Sequence, residues 1–240
     1  MSASGSASSK TKSAPLLGAT VPSFAVSPRY LSIGEVALER DASPAEYRDV
    51  VGSMLEEVNR LTSLLEGLLT LSRAEAEQFV IRPSVFPLKE LMQEVGDLLE
   101  VLVEEKRLVF QIQGDETGCV KADRLYLRQA VVNLLHNAVK FSPAEGSIVA
   151  RIERRENSTV VLSISDTRPG IPRMHAEKVF KRFYRVEESR GGENKGAGLG
   201  LSIAKWAVQA NHGEIGLDSS SQGGCTFWIR LPTVPCGRPQ

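Results

Sequence analysis

The amino-acid sequence predicts an α+β protein, in which a helical hairpin is followed by an α/β sandwich. The first observation is an apolar stripe from Tyr47 to Leu68 that repeats at alternating spacings of four and three residues, a period typical of bundled helices. The second is a change after Phe79, where helix-like and strand-like segments occur in mixed order. The length of 240 residues allows one large domain or two small ones.

Composition and charge exclude some classes of protein. The chain has 29 basic and 29 acidic side chains, and a nucleic-acid binder normally has a basic excess, so we expect no nucleic-acid partner. The cysteines Cys119, Cys225 and Cys236 are scattered and form no disulfide framework or zinc spacing, which predicts a reducing, cytoplasmic compartment. The most apolar window, residues 14–31, is interrupted by three prolines, so no membrane segment is predicted.

The beginning of the chain differs in composition from the remainder. Residues 1–30 are rich in Ser, Ala, Gly and Pro, which predicts a disordered tail because little apolar surface is available for burial. Lys10 and Lys12 precede a mildly apolar run, which leaves a targeting segment as the alternative. We expect a partial helical hairpin at 31–78, a second domain at 79–232 and a tail at 233–240.

A long helix is predicted from Pro44 to about Glu77. Ser43 and Glu46 have the spacing of a capping box, and proline suits the first position of a helix. The apolar stripe is wide, and the short segment Leu31–Arg40 can cover only part of it. We therefore expect this helix, residues 44–77, to pair with a second copy as a homodimer.

Apolar periodicity predicts the elements of the second domain. The predicted helices are Phe86–Val103, Ala122–Val139 and Leu199–Gln209, and the predicted strands are Leu108–Gln113, Ser147–Glu153, Thr159–Ser165, Glu214–Asp218 and Thr226–Leu231. Hairpin-like strands mixed with helices indicate an α/β sandwich.

One predicted helix carries polar residues on a single narrow face. At 100° per residue, Asn133, His136, Asn137 and Lys140 share this face, and apolar residues lie on the opposite side. Amide oxygens suit Mg²⁺, and a lysine ammonium is a point charge suited to phosphate. The pattern therefore favours a metal and phosphate site, and its alternative is a solvated polar face.

Two further segments are candidates for ligand binding. An apolar strand ends at Asp166, and a carboxylate there can accept a hydrogen bond from an exocyclic amine; the alternative is an Asx-type turn. A glycine-rich run from Gly191 to Gly200 leads into a helix. The first N–H groups of that helix can bind phosphate, and the alternative is a flexible surface loop.

Taken in order, these three segments resemble the N, G1 and G2 boxes of the sensor histidine kinases, within the GHKL superfamily of ATP-binding proteins. Val179–Arg185 resembles the F box of that family, and Gly223–Phe227 resembles its terminal glycine turn. The striped helix resembles the second helix of the family's dimerisation hairpin. The resemblance covers residues 31–232, and it implies a Bergerat-type domain with ATP and Mg²⁺ as cofactors.

The resemblance also implies a role for each matching residue. Asn137 would be the main magnesium ligand with Asn133 assisting, and Lys140 would contact phosphate. Phe141 would lie against the adenine, and Asp166 would accept a hydrogen bond from its amino group. In the pocket, the resemblance implies Gly170, and near the transferred phosphate it implies Arg182 and Arg185. It also implies a lid over the nucleotide at residues 184–198. The remaining implied ATP-binding residues lie in or after this lid or further along the chain: Gly196, Gly198, Leu199, Gly200 and Thr226. For the two arginines, a solvated helix face is the alternative.

The sequence departs from the family at two places. No histidine precedes His136, so the phosphoacceptor box is absent, and a loose alignment places Ser23 where its histidine belongs. We assign no chemistry to His136, His175 or His212. Arg168 stands where the family's G1 box has glycine, so we expect bulk beside the adenine, and backbone strain if φ is positive.

The resemblance implies the core of a two-component sensor histidine kinase. Such a core transfers the γ-phosphoryl group of Mg-ATP to a histidine, from which it passes to an aspartate of a response regulator. The first alternative is a non-catalytic ATP-binding dimer acting as a pseudo-kinase or response-regulator phosphatase, which the missing histidine favours. An ATP-hydrolysing GHKL protein is disfavoured, because Asn133 stands where those proteins have a glutamate that activates water.

Overall fold

The computed structural model describes residues 43–75, 80–114, 118–155, 158–186, 197–219 and 223–236. The predicted tail 1–30, the segment Leu31–Arg40 and residues 237–240 lie outside the described residues. The chain divides into two compact units, Met1–Glu57 and Val58–Gln240. Among the described residues, no helix has the length and apolar character needed to cross a membrane.

The described part of the first unit is the beginning of helix α1 (Pro44–Glu75). The backbone N–H and the hydroxyl of Ser43 donate to the Glu46 carboxylate at 2.7 and 2.8 Å, and the N–H of Glu46 donates to Ser43 Oγ at 3.3 Å. The backbone N–H of Ser43, and then its hydroxyl, lower the pKa of Glu46. The predicted capping box is confirmed.

The second unit contains a mixed sheet. Within the described residues, its strands are β1 (Ser84–Pro87), β2 (Val109–Gly114), β3 (Cys119–Ala122), β4 (Ser147–Arg155), β5 (Thr159–Asp166), β6 (Glu214–Ser219) and β7 (Cys225–Val234). Their order is β1-β3-β7-β5-β4-β2, and β6 also pairs with β7. Strands β2 and β4 are parallel, whereas the other pairs are antiparallel.

Helices cover the apolar face of this sheet. They are α2 (Leu88–Leu98), α3 (Glu100–Glu105), α4 (Arg124–Phe141) and α5 (Gly200–Ala210), with 3₁₀ turns at Arg173–His175 and Lys178–Phe180. Along most of β4, β5 and β7, every second residue is buried in a single core, because side chains alternate between the faces of a sheet. The predicted α/β sandwich is confirmed.

The predicted helix Phe86–Val103 is wrong at its beginning and near its end. Phe86 and Pro87 belong to β1, which pairs with β3, and α2 begins only at Leu88. Proline has no N–H and takes an extended conformation here, with φ −67° and ψ 130°. At Leu99, φ is −104° and ψ is 6°, so α2 and α3 are separate helices.

The scattered cysteines did not indicate a disulfide, but the structure has one. Cys119 and Cys236 are joined, with their Cα atoms 5.3 Å apart and 117 positions apart in the sequence. The antiparallel pairing of β3 with β7 places Cys119 opposite Val234 and so brings the two cysteines together. The thiol of Cys225 is free and buried. The cysteines therefore no longer support the predicted reducing compartment.

The part of α1 in the second unit packs against the beginning of α5. Leu64 is buried with Leu199 and Ile203 in a small cluster of its own. Gly67 permits this approach, because a Cβ there would lie 3.1 Å from the Cδ1 atoms of Leu199 and Ile203. In contrast, Leu65 and Leu69 are 63% and 55% exposed.

Candidate functional site

Helix α4 presents the polar face that the sequence predicts. The Asp123 carboxylate caps its first turn by accepting from the N–H groups of Leu125 and Tyr126, which fixes the start of the helix. The opposite side of α4 is buried in the core. The polar face therefore lies at the edge of the core: it consists of half-buried Asn133, Asn137 and Lys140, and of exposed His136.

Lys106 holds the other end of α4. Its ammonium donates to three backbone carbonyl oxygens at the end of the helix, at 2.7 to 3.2 Å. Burial, and then the charge of Arg168, lower the pKa of Lys106. Burial, and then the charges of Arg185 and Lys106, lower the pKa of Lys140. These cations make the region positive and suited to an anionic ligand, although the sequence did not indicate Lys106.

Asp166 lies at the end of β5, in the middle of the sheet. It is paired in register with Ile148 of β4 and Cys225 of β7. Its side chain is completely buried on the face that the helices cover. A buried carboxylate requires a hydrogen-bonding or charged partner, because an unpaired buried charge is strongly destabilising.

The partner of Asp166 is Arg168, two residues further along the sequence. Arg168 Nε donates to Asp166 Oδ1 at 2.7 Å, and Nη2 donates to Oδ2 at 2.5 Å. The same guanidinium reaches α4, where Nη1 donates to Asn137 Oδ1 at 2.8 Å and Nη2 donates to the Asn137 backbone carbonyl at 3.1 Å. Only 6% of the Arg168 side chain is exposed. Arg168 thus contacts both Asp166, which the resemblance implies binds adenine, and Asn137, which the resemblance implies binds magnesium.

Two aromatic rings flank the guanidinium. Arg168 Cζ lies 5.2 Å from the ring centroid of Phe141 and 5.6 Å from that of Phe227, distances at which a cation is attracted to a ring. The structure does not bring Thr226 to this site, because its hydroxyl lies on the other face of the sheet, 2.8 Å from Ser165 Oγ. Phe227 is the residue of β7 that reaches the site, as the alternation along a strand requires.

The backbone strain expected at Arg168 is absent. Among the described non-glycine residues, positive φ occurs at Arg107, Glu145, Ser158, Phe183 and His212. The backbone at Arg168 therefore does not need glycine. Its carbonyl oxygen accepts a hydrogen bond from the N–H of Gly224 at 2.7 Å, which ties this turn to the beginning of β7. The expected bulk is present, and the whole side chain lies inside the site.

Two glycines allow close approaches near the start of α5. Gly198 has a φ of +72°, and a Cβ there would lie 3.0 Å from both the Cα atom and the carbonyl carbon of Phe183. The Phe183 N–H also donates to the Gly198 carbonyl at 2.9 Å. Gly200 faces α4, and a Cβ there would lie 3.1 Å from Asn133 Oδ1. The N-terminus of α5 is thereby held beside the amide of Asn133.

Gly198→Ala is expected to lower the free energy of unfolding by about 1–3 kcal/mol, because alanine is strained at positive φ and meets the backbone of Phe183. Urea denaturation followed by circular dichroism measures this change. The matched control is Gly52→Ala in α1, where an added Cβ has nothing within 4 Å and where alanine favours the helix. Equal stability of Gly198→Ala and the wild type would contradict the prediction.

The remaining predicted site residues lie around this centre. Gly170 is half-buried in the turn after Arg168, Arg182 is exposed, and Arg185 is half-buried. Leu199 is buried against α1 and Ile203 rather than open to a ligand. Gly196 and most of the predicted lid lie outside the described residues. The roles of all these residues remain predictions.

The three histidines lie in separate places. His136 is on the exposed side of α4, and His212 has a φ of 57° in the turn after α5. His175 ends a 3₁₀ turn, and its Nδ1 forms a hydrogen bond with the Tyr184 hydroxyl at 2.5 Å. We assign no chemistry to any of them.

The residues of the site fit Mg-ATP in their chemistry. Asn133 and Asn137 carry hard amide oxygens of the kind that bind magnesium, and Asp166 carries a buried carboxylate of the kind that accepts from an amino group. The N-terminus of α5 and Lys140 supply donors and positive charge for phosphates. In this structure the Arg168 guanidinium contacts both Asp166 and the side-chain oxygen of Asn137.

Comparison with known proteins defines the class. Residues 122–235 match the family model described as histidine kinase-, DNA gyrase B- and HSP90-like ATPase. This part of the protein is therefore an ATP-binding domain of the GHKL class.

Two relatives that match most of this chain are sensor proteins. The chain is 31% identical over 202 residues to the sensor protein IrlS of Burkholderia pseudomallei, covering 84% of this chain and 43% of that protein. It is 33% identical over 198 residues to the sensor histidine kinase CusS of Escherichia coli, covering 82% of this chain and 41% of CusS. The chain thus spans less than half the length of these relatives.

A solved structure supports the same assignment. The histidine kinase ThkA, in complex with the response regulator protein TrrA, is 25% identical with a TM-score of 0.68, over 87% of this chain and 58% of that one. Together these matches show that the chain contains the ATP-binding core of a sensor kinase.

Proposed function

We propose that this chain binds Mg-ATP and directs its γ-phosphoryl group to a histidine, from which it passes to a response regulator. The observation that carries this proposal is the buried Asp166 carboxylate beside the amide-bearing face of α4. Within these 240 residues no histidine precedes His136, so the proposal places the accepting histidine outside them.

Each residue of the site has a part in this function. Asp166 accepts a hydrogen bond from the adenine amino group, and Phe141 contacts the base. Asn137 and Asn133 would hold the magnesium ion, and Lys140 and the N-terminus of α5 would neutralise the phosphates. When bound, Mg-ATP supplies the phosphoryl group, and the charge that develops during transfer requires such cationic support. Two observations favour Arg185 over Arg182: Arg185 is half-buried whereas Arg182 is exposed, and, after burial, the positive charge of Arg185 lowers the pKa of Lys140.

The proposed partners are a second copy of the protein and a response regulator. The exposed apolar residues of α1, which include Leu65 and Leu69, support pairing through this helix. The relative ThkA is solved with a response regulator, which supports the second partner. Because ATP is the proposed substrate, we also propose the cytoplasm as the compartment.

The second candidate is the non-catalytic ATP-binding dimer, which acts as a pseudo-kinase or a response-regulator phosphatase. The observation that favours it is that no histidine precedes His136 in the sequence, so the phosphoacceptor box is missing. In this function the core binds the nucleotide without transferring phosphate.

Incubation with γ-labelled ATP and magnesium distinguishes these functions. We expect no acid-labile label on this protein, because none of His136, His175 and His212 lies on a dimerisation hairpin. We expect labelling of a separate hairpin peptide that carries a histidine box. Asn137→Ala should abolish this labelling because it removes the proposed main magnesium ligand.

The outcomes of this experiment are separable. Acid-labile label on the protein that disappears in His136→Gln would contradict the expected lack of self-labelling. Nucleotide binding without labelling of the hairpin would support the non-catalytic dimer. A protein that neither binds nucleotide nor labels the hairpin would overturn both functions.

A further inference from the structure

We propose that Arg168 is an internal competitor for the nucleotide, so that a nucleotide binds only after the guanidinium has left Asp166 and Asn137. This inference rests on the proposed ATP-binding function. It assigns the control of affinity at the site to one arginine.

The first support for the proposal is that Arg168 donates to the same oxygens that the nucleotide and its metal ion are proposed to use. Its Nε and Nη2 donate to both carboxylate oxygens of Asp166, as an exocyclic amine would donate to one of them. Its Nη1 takes the side-chain oxygen of Asn137 at 2.8 Å, the oxygen proposed to bind magnesium. The same cation therefore competes with both the base and the metal.

The second support is the shape and surroundings of the guanidinium. It is planar, as a base is, and it lies 5.2 and 5.6 Å from the ring centroids of Phe141 and Phe227. The side chain is 6% exposed, and the carboxylate it contacts is fully buried. No buried side-chain nitrogen or oxygen in the described residues lacks a hydrogen-bond partner, so Arg168 and Asp166 satisfy each other without a ligand.

The third support is the linkage between release and binding. When Arg168 leaves, it deprives the buried Asp166 carboxylate of its partner, and this is unfavourable unless another donor takes the place. An adenine amino group is such a donor. The apparent affinity is then the intrinsic affinity reduced by the fraction of molecules in which Arg168 is released. Release and nucleotide binding therefore favour each other.

Titration of the 240-residue protein with a fluorescent ATP analogue, trinitrophenyl-ATP, tests this competition. Arg168→Ala should bind at least about tenfold more tightly than the wild type, because every molecule is then competent to bind. Arg168→Met retains much of the volume but has no donors, so it should also bind more tightly than the wild type. The control is Arg151→Ala, which removes an arginine from the exposed face of β4 and should bind as the wild type does.

The results separate this inference from the proposed function. Equal affinity of wild type, Arg168→Ala and Arg168→Met overturns the competition and leaves the nucleotide site in place. Tighter binding by Arg168→Ala but not by Arg168→Met shows that bulk alone obstructs the site, and it also overturns the competition. If neither the wild type nor any variant binds, the proposed ATP-binding function fails.

A second measurement, ¹⁵N NMR of the wild type, observes Arg168 directly and therefore needs no variant. The Nε–H of Arg168 should give a protected arginine signal in ¹⁵N NMR spectra of the wild type, because it is buried on Asp166. A saturating ATP analogue with magnesium should remove this protection. Persistence of the protected signal at saturation would overturn the proposal, since the guanidinium would then remain on Asp166 beside the bound nucleotide.

Discussion

Asp166→Ala is expected to abolish nucleotide binding and to lower the free energy of unfolding by about 3–5 kcal/mol, the effect of breaking a buried ion pair. The alanine removes the proposed acceptor for the base, and it leaves the buried Arg168 guanidinium without its carboxylate. Binding is measured by fluorescence with trinitrophenyl-ATP, and stability by urea denaturation.

Two further variants make this prediction specific. In the double variant Asp166→Ala/Arg168→Ala, most of the lost stability should return, because no unpaired charge remains, whereas binding should stay absent. The control Glu153→Ala removes a partly exposed carboxylate that pairs with Arg155, and it should cost at most about 1 kcal/mol. Full retention of binding by Asp166→Ala would remove the case for a nucleotide pocket here.

Leu65→Lys combined with Leu69→Lys is expected to convert a dimer into a monomer. Both leucines are largely exposed on α1, so a charge there disrupts an interface with a second copy. Leu61 is a poorer choice, because it packs against the cluster of Leu64, Leu199 and Ile203 within the same molecule. Sedimentation velocity at several protein concentrations measures the change of mass.

The matched control for dimerisation is Leu98→Lys combined with Leu125→Lys. These leucines are 53% and 69% exposed in the second unit, and their replacement adds the same charges away from α1. The control should remain dimeric. A wild type that sediments as a monomer at all concentrations would refute the proposed dimer.

Local patterns in the sequence predict much of this fold. The capping box at Ser43 and the strand that ends at Asp166 are local features, since the residues involved are neighbours in the sequence. The elements that escape prediction are short or depend on distant residues. Strands β1 and β3 have four residues each, too few for a period to be recognised.

In the site, too, the local features can be predicted from the sequence and the contacts between distant residues cannot. Sequence order places Asn137 on the polar face of α4, but it does not reveal that Arg168 reaches back to this residue. That contact depends on the distance between α4 and β5, which only the packed sheet sets. The position of Phe227 could have been predicted, because Cys225, Phe227 and Ile229 alternate as the buried face of β7.

The link between Cys119 and Cys236 closes the site-bearing part of the protein into a covalent ring. The bond spans 117 positions, and these include α4, the end of β5, the beginning of α5 and β7. All the proposed nucleotide contacts from Asn133 to Phe227 therefore lie inside one closed loop. A single peptide cleavage anywhere between the two cysteines would leave both fragments attached to each other until a reductant opens the ring.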